Sequence, residues 1–100
     1  LAPIKVAILP LVKKDGLPEI ARDMVSKFFK AGINARYDEQ HSIGKRYRRH
    51  DEAGTPYCIT IDGQTRKDKT VTIRDRDTMK QDRVSLNDIL QLIQKKLMEA

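Results

Sequence analysis

The stretch Ser42-Ile-Gly-Lys-Arg-Tyr-Arg-Arg-His-Asp-Glu-Ala-Gly-Thr-Pro-Tyr-Cys-Ile-Thr-Ile-Asp62 changes its periodicity halfway along, and that change decides the fold class. In its first half Ile43, Tyr47, His50 and Gly54 share one side of a helical wheel. Lys45, Arg48, Arg49 and Glu52 lie opposite, with Arg46 and Asp51 flanking. Ser42 is a good N-cap, so a helix over residues 43–53 is expected. After Gly54-Thr55-Pro56, the run Tyr57–Ile61 is β-rich and nearly unbroken in its apolar character, which suits a buried strand. A helix that hands over to a buried strand is the repeating step of an α/β sheet.

The same alternation continues outward in both directions. Toward the N-terminus, Ile4–Leu9 reads as a central parallel strand ended by Pro10. Leu17, Ile20, Ala21, Met24, Val25 and Phe28 then give one apolar face to a helix over residues 17–31, stopped by Gly32. Ile33, Ala35 and Tyr37 alternate with Asn34 and Arg36 as a half-buried strand. Toward the C-terminus, Asp62–Lys69 reads as a polar turn and Thr70–Arg74 as a strand, with Gln81–Val84 pairing back on it as a hairpin. Ser85 and Asp88 resemble a capping box for a last helix with the face Leu86, Ile89, Leu90, Ile93 and Leu97.

The expected fold is therefore α/β: a mixed five-stranded sheet, three parallel strands plus an antiparallel hairpin, flanked by three helices. Right-handed crossovers put the first two helices on opposite faces if the first strand lies between the second and third. Sheets of this kind bind ligands beyond the carboxyl ends of their strands. Here those ends carry residues 10–16, 38–42 and 62–69.

One hundred residues suit one domain over 1–100. With 39% hydrophobic and 34% charged residues, the chain is too apolar for disorder. A net charge of +6 points to a polyanionic partner, nucleic acid before membrane. The single cysteine, Cys58, excludes an internal disulfide and a Cys-based zinc site. No apolar run reaches the roughly 18–20 residues of a membrane span. There is no signal-peptide pattern and no initiating Met, so a piece of a longer protein, or a processed product, is expected.

Two stretches carry candidate chemistry. Lys45, Arg46, Arg48 and Arg49 put four cations in five residues with no acid among them, which suits phosphate contact as well as a plain solvated face. His50, alone on the apolar side of its helix, reads as a hydrogen-bonded core residue. Cys58, in mid-strand, reads as an inert buried thiol. No Gly-rich phosphate loop occurs. The second stretch is Arg74-Asp75-Arg76-Asp77, which places both arginines on one side of an extended strand. It reads either as surface ion pairs or as base recognition, because Arg offers a planar fork and Asp accepts from a cytosine amino group.

Ser42–Asp62, followed by Thr70-Val-Thr-Ile-Arg-Asp-Arg-Asp-Thr-Met-Lys-Gln-Asp-Arg-Val-Ser-Leu86, closely resembles the C-terminal anticodon-binding domain of glycyl-tRNA synthetases, class II enzymes. Ile4–Leu11 matches the usual opening of that domain, and the resemblance spans residues 2–97. It implies the class II anticodon-binding fold and recognition of the tRNA(Gly) anticodon stem-loop. The parent enzyme would be a cytoplasmic, usually homodimeric ligase whose separate catalytic domain uses ATP and magnesium. This chain alone would be a monomeric module with no catalytic residue, metal or cofactor. The glycine anticodon ends in two cytosines, so Asp38, Glu39, Asp75 and Asp77 are candidate acceptors and Arg74 and Arg76 candidate forks. Lys13, Lys14, Lys45, Arg49, Arg66 and Lys67 are candidate phosphate contacts, and Tyr37 or Tyr57 could stack on a base. A rival from another class is a non-catalytic relative, such as the accessory subunit of mitochondrial DNA polymerase.

Overall fold

The computed structural model describes residues 3–99, so Ala2, the first residue of the resemblance, lies outside it. The elements are β1 (Val6–Pro10), α1 (Leu17–Lys30), β2 (Ala35–Tyr37), α2 (Ile43–Ala53), β3 (Tyr57–Ile61), α3 (Gly63–Asp68), β4 (Thr70–Asp75), β5 (Gln81–Ser85) and α4 (Ile89–Glu99). The sheet order is β2-β1-β3-β4-β5. β1 pairs in parallel with both β2 and β3, while β3, β4 and β5 run antiparallel in succession. The first strand is thus flanked by the second and third, and α1 and α2 cover opposite faces of the sheet, as right-handed crossovers give for that order.

The two faces of the sheet differ in character. Val6, Ile8, Ile59, Ile61, Val71 and Ile73 form the main core with Leu17, Ala21, Met24 and Phe28 of α1 and Ile89 and Ile93 of α4. The other face is thinner: Ala7, Leu9 and Cys58, covered by Ile43 and Tyr47 of α2. The register carries this second face on through Thr60 and Thr72 to Arg83, and through Arg74 to Gln81, so it turns polar toward β5.

Four expectations need correction. β1 starts two residues later than expected and takes in Pro10, which pairs with Ile61 instead of ending the strand. The sheet has four helices beside it, because residues 62–69 hold a short helix rather than a plain turn. Asp62 accepts from the Thr65 amide while Thr65 Oγ1 accepts from the Asp62 amide, a reciprocal cap that closes α3 without any apolar stripe. The last helix starts at Ile89 instead of Leu86. The Leu86 amide donates to the Lys69 carbonyl at 2.8 Å, which keeps the chain on the hairpin, and Ser85 Oγ accepts from Asn87 in a local turn. β2 is also shorter than the alternation of residues 33–37 suggests: the Ile33 amide is taken by the Phe28 carbonyl at the end of α1.

Candidate nucleic-acid interface

β1 and β2 separate at their carboxyl ends. Their last shared rung is Ile8 with Tyr37, after which β1 continues only beside β3. Carbonyls of Pro10, Leu11 and Asp38 are left without strand partners in that gap, and Arg46 of α2 fills it. Its Nη1 donates to Pro10 O at 2.6 Å and Asp38 O at 3.1 Å, and its Nη2 to Leu11 O at 3.2 Å. Arg46 is 2% exposed. Burial pushes its guanidinium down from the usual value, and the nearby Asp38 carboxylate opposes that shift. Arg46 therefore stands inside the fold, not on the cationic face with Lys45, Arg48 and Arg49, which are all exposed.

Asp38 is the acidic counterpart at the same edge. Arg49 ion-pairs with it, His50 Nε2 donates to it at 2.9 Å, and the Gln40 amide caps it at 3.1 Å. Burial alone would raise this carboxyl, but the bonds from Arg49, Gln40 and His50 prevail and hold it below the ordinary carboxylate range. Its role here is to tie β2 to α2, and its acceptor positions are already in use. His50 is buried and bonded, as a core histidine should be. Beside it, a cleft of about 370 Å³ runs along the free edge of β2, lined by Arg36, Glu39, Gln40, Arg49 and Thr55 among others. Glu39 accepts from the Tyr37 hydroxyl at 2.7 Å, and the Arg22 guanidinium lies 4.8 Å from the Tyr37 ring centre. Burial first, and then Glu39, push the Tyr37 phenol up to about 12.

The Arg74–Asp77 strip divides in two. Arg74 is 8% exposed. It makes a two-pronged pair with Asp51 at 2.8 and 3.1 Å and sits 4.9 Å from the Tyr47 ring centre. Both terminal nitrogens of its fork are engaged inside the domain. Asp75 accepts from the amides of Asp77 and Thr78 and so shapes the hairpin turn. Arg76 and Asp77 remain exposed and pair side by side at 3.1 Å.

The register also separates the two groups of candidates. Asp75 is level with Tyr57 and so with Val6, at the amino ends of the parallel strands. Lys13, Lys14, Glu39, Arg66 and Lys67 follow the carboxyl ends, and Lys45 lies in the first turn of α2 beside them. A five-residue strand puts roughly 16 Å between the two ends. Lys13, Lys14, Lys45, Arg66 and Lys67 make no ion pair among the described residues, and Arg49 shares its charge with Asp38.

Two residues escaped the sequence reading. Arg46 looked like one more surface cation, and its depth shows only once β1 and β2 are placed. Arg83 pairs with Asp62 at 2.6 Å and donates to Thr70 Oγ1 at 3.0 Å, linking β5 to the cap of α3. A period-two count from Val71 and Val84 could have put it on the polar face. Burial pushes the Cys58 thiol up to about 12, in keeping with an inert role. Among the described residues no three His, Cys, Asp or Glu side chains converge to hold a metal ion. No described helix is long and apolar enough to cross a membrane.

A family model described as an anticodon binding domain matches residues 5–96. The glycine–tRNA ligase of Rhodopirellula baltica is 56% identical over 97 residues, which is 97% of this chain and 18% of that protein. The glycine–tRNA ligase of Pyrococcus abyssi is 61% identical over 89 residues, 89% of this chain and 16% of that protein. The chain thus spans less than a fifth of the length of these relatives. Among solved structures, a prolyl-tRNA synthetase from Cryptosporidium parvum superposes with a TM-score of 0.89 at 21% identity, covering 98% of this chain and 21% of that one. The RNA binding domain of a threonyl-tRNA synthetase from the same organism gives 0.83 at 23% identity, covering 94% and 24%.

Proposed function

The chain belongs to the anticodon binding domain family, and from that premise we propose that it is the tRNA-gripping module of a longer glycine–tRNA ligase. In this reading it holds the anticodon stem-loop of tRNA(Gly), while a separate catalytic region joins glycine to the tRNA with ATP and magnesium. Residues 1–100 make one domain, monomeric alone, of a homodimeric cytoplasmic enzyme. The observation that carries the reading is the identity of 56% to a glycine–tRNA ligase along nearly the whole chain. The same identity favours a ligase module over a non-catalytic polymerase subunit.

The exposed cations at the carboxyl edge, Lys13, Lys14, Lys45, Arg66 and Lys67, with Arg49, supply phosphate contacts. Such contacts fix position without reading sequence. Base reading falls to groups whose polar atoms face solvent: Arg76 with Asp77 at the far end, and Glu39 near the cleft. An unstacked cytosine offers an amino donor beside acceptors, which an adjacent carboxylate and guanidinium match. Arg74, Asp75 and Asp38 support these groups through the pairs already described.

The test is binding of stem-loop RNA by Arg76→Ala and Lys45→Ala, with the cognate loop and with one whose last two anticodon bases are not cytosine. Arg76→Ala should cost about 1–3 kcal/mol with the cognate loop and almost nothing with the swapped one. Lys45→Ala should weaken both alike and reduce the salt slope by about one. If Arg76→Ala affects the two loops equally, Arg76-Asp77 is a surface ion pair and no base reader.

A further inference from the structure

We propose that Arg46 is a positioning residue of the RNA interface: its buried guanidinium clamps the segments after β1 and β2 together, so that Lys13 and Lys14 are held where the phosphate backbone passes. The proposal rests on the tRNA reading above for the identity of the ligand, and on geometry alone for the clamp.

Three carbonyls from two segments converge on one side chain, those of Pro10 and Leu11 after β1 and that of Asp38 after β2. A buried carbonyl without a donor is costly, so the gap between the diverging strands needs donors from elsewhere. Arg suits the place because its rigid fork presents several donors at fixed angles and it is less strongly hydrated than an ammonium. Nε of Arg46 has no partner among the described residues, so the side chain is not fully satisfied where it sits. A full positive charge is buried here with its hydrogen bonds going to carbonyls rather than to a carboxylate. That costs more than a well-packed neutral filler would.

The clamped segment is the one that needs holding. Residues 11–16 are exposed throughout. Asp15 and Gly16 both have positive φ, at 62° and 76°. Its other backbone ties are three: the Leu11 amide donates to Ile61 O at 2.8 Å, the Leu17 amide to Lys14 O at 3.2 Å and the Ile20 amide to Gly16 O at 3.2 Å. Lys13 and Lys14 therefore project from a strained exposed turn whose base is fixed by Arg46. Freeing that base would leave their charge in place but disperse their direction, and the entropic cost of ordering them again is enough to lose their phosphate contacts.

The test uses Arg46→Lys, which keeps the charge but loses the fork, beside Arg46→Met and Lys13→Ala/Lys14→Ala. Amide hydrogen exchange is read first, on the free chain. In Arg46→Lys the bonded amides of Leu11 and Leu17, which tie this segment to β3 and to its own Lys14 carbonyl, should exchange at least about tenfold faster, while those of β1 and β3 keep their protection. Stem-loop RNA binding is read next, as a function of salt. Arg46→Lys should weaken binding severalfold and lower the salt slope by about one to two, and it should add nothing further in the Lys13→Ala/Lys14→Ala background. Unchanged exchange at the Leu11 and Leu17 amides overturns the clamp. An equal loss of affinity with and without Lys13 and Lys14 overturns the link to those lysines. If Arg46→Met does not fold, the Arg46→Lys measurements decide alone. A wild-type chain that binds no stem-loop overturns the tRNA reading, while hydrogen exchange still decides the clamp.

Discussion

Arg74 and Asp51 face each other from β4 and α2, with Tyr47 against the guanidinium. Arg74 is nearly buried, so removing its partner strands a cation in the polar half of the α2 face. Asp51→Ala should lower stability by about 1–3 kcal/mol, read as a shift in urea midpoint with an unchanged slope. Adding Arg74→Met should restore part of the loss, because the stranded charge is gone; a double variant weaker than the sum of the singles would rule this account out. Cys58 makes a second prediction at this scale. Its thiol is buried and its pKa is raised to about 12 by burial, so a thiol reagent at neutral pH should label it in urea and leave the native chain unmodified. Asp38 sets an acid limit. Its folded pKa lies below the ordinary value, so its contribution is complete above about pH 4 and is lost as pH falls through the folded value. Asp38→Asn should be less stable at neutral pH and lose less stability on acidification, measured by urea melts across the acid range.

At the level of elements, α3 shows how little sequence a helix needs when its start is capped. Six residues carry it, and Thr65 is the one that is buried. The cap residue Asp62 does double duty, accepting from the Thr65 amide and pairing with Arg83 of β5. Burial raises its carboxyl, but Arg83 and the Thr65 amide outweigh that and leave it below the ordinary range. Asp62→Ala should cost about 1–2 kcal/mol, in the upper half of what a lost N-cap costs. Asp62→Asn should recover much of it, since an amide oxygen still caps; an equal loss in both variants would assign the effect to the Arg83 pair instead. α2 is the opposite case. Its Ser42 cap, its apolar face and its Gly54 stop, where φ is 81°, are all local signals, and its bounds match those expected from sequence. α4 failed to start where its capping pattern suggested, because the Leu86 amide had a better partner at Lys69, the residue between α3 and β4, 17 positions back in the chain.

For the molecule as a whole, charge is the controlling quantity. Six exposed cations, Lys13, Lys14, Lys45, Arg49, Arg66 and Lys67, are proposed to meet phosphates. If all six do, the log–log salt slope for a single-stranded loop should be about −4, and affinity should fall roughly a hundredfold or more between about 50 and 200 mM salt. Titrations at four salt concentrations measure it, and a flat response would remove nucleic acid as the partner. The residues themselves determined the order of elements apart from α3, the parallel-then-hairpin plan, the burial of His50 and Cys58 and the basic balance. Those features follow from periodicity, caps and composition, all of which act over a few neighbouring positions. Only the tertiary structure decided which charges are free. Arg46 meets carbonyls up to 36 residues away and Arg74 meets a carboxylate 23 residues away, so both left the candidate surface. It also placed the Arg76-Asp77 pair and the lysine-bearing loops at opposite ends of the sheet. Strand direction and register bring such groups together or keep them apart, and both depend on contacts between segments that no local pattern encodes.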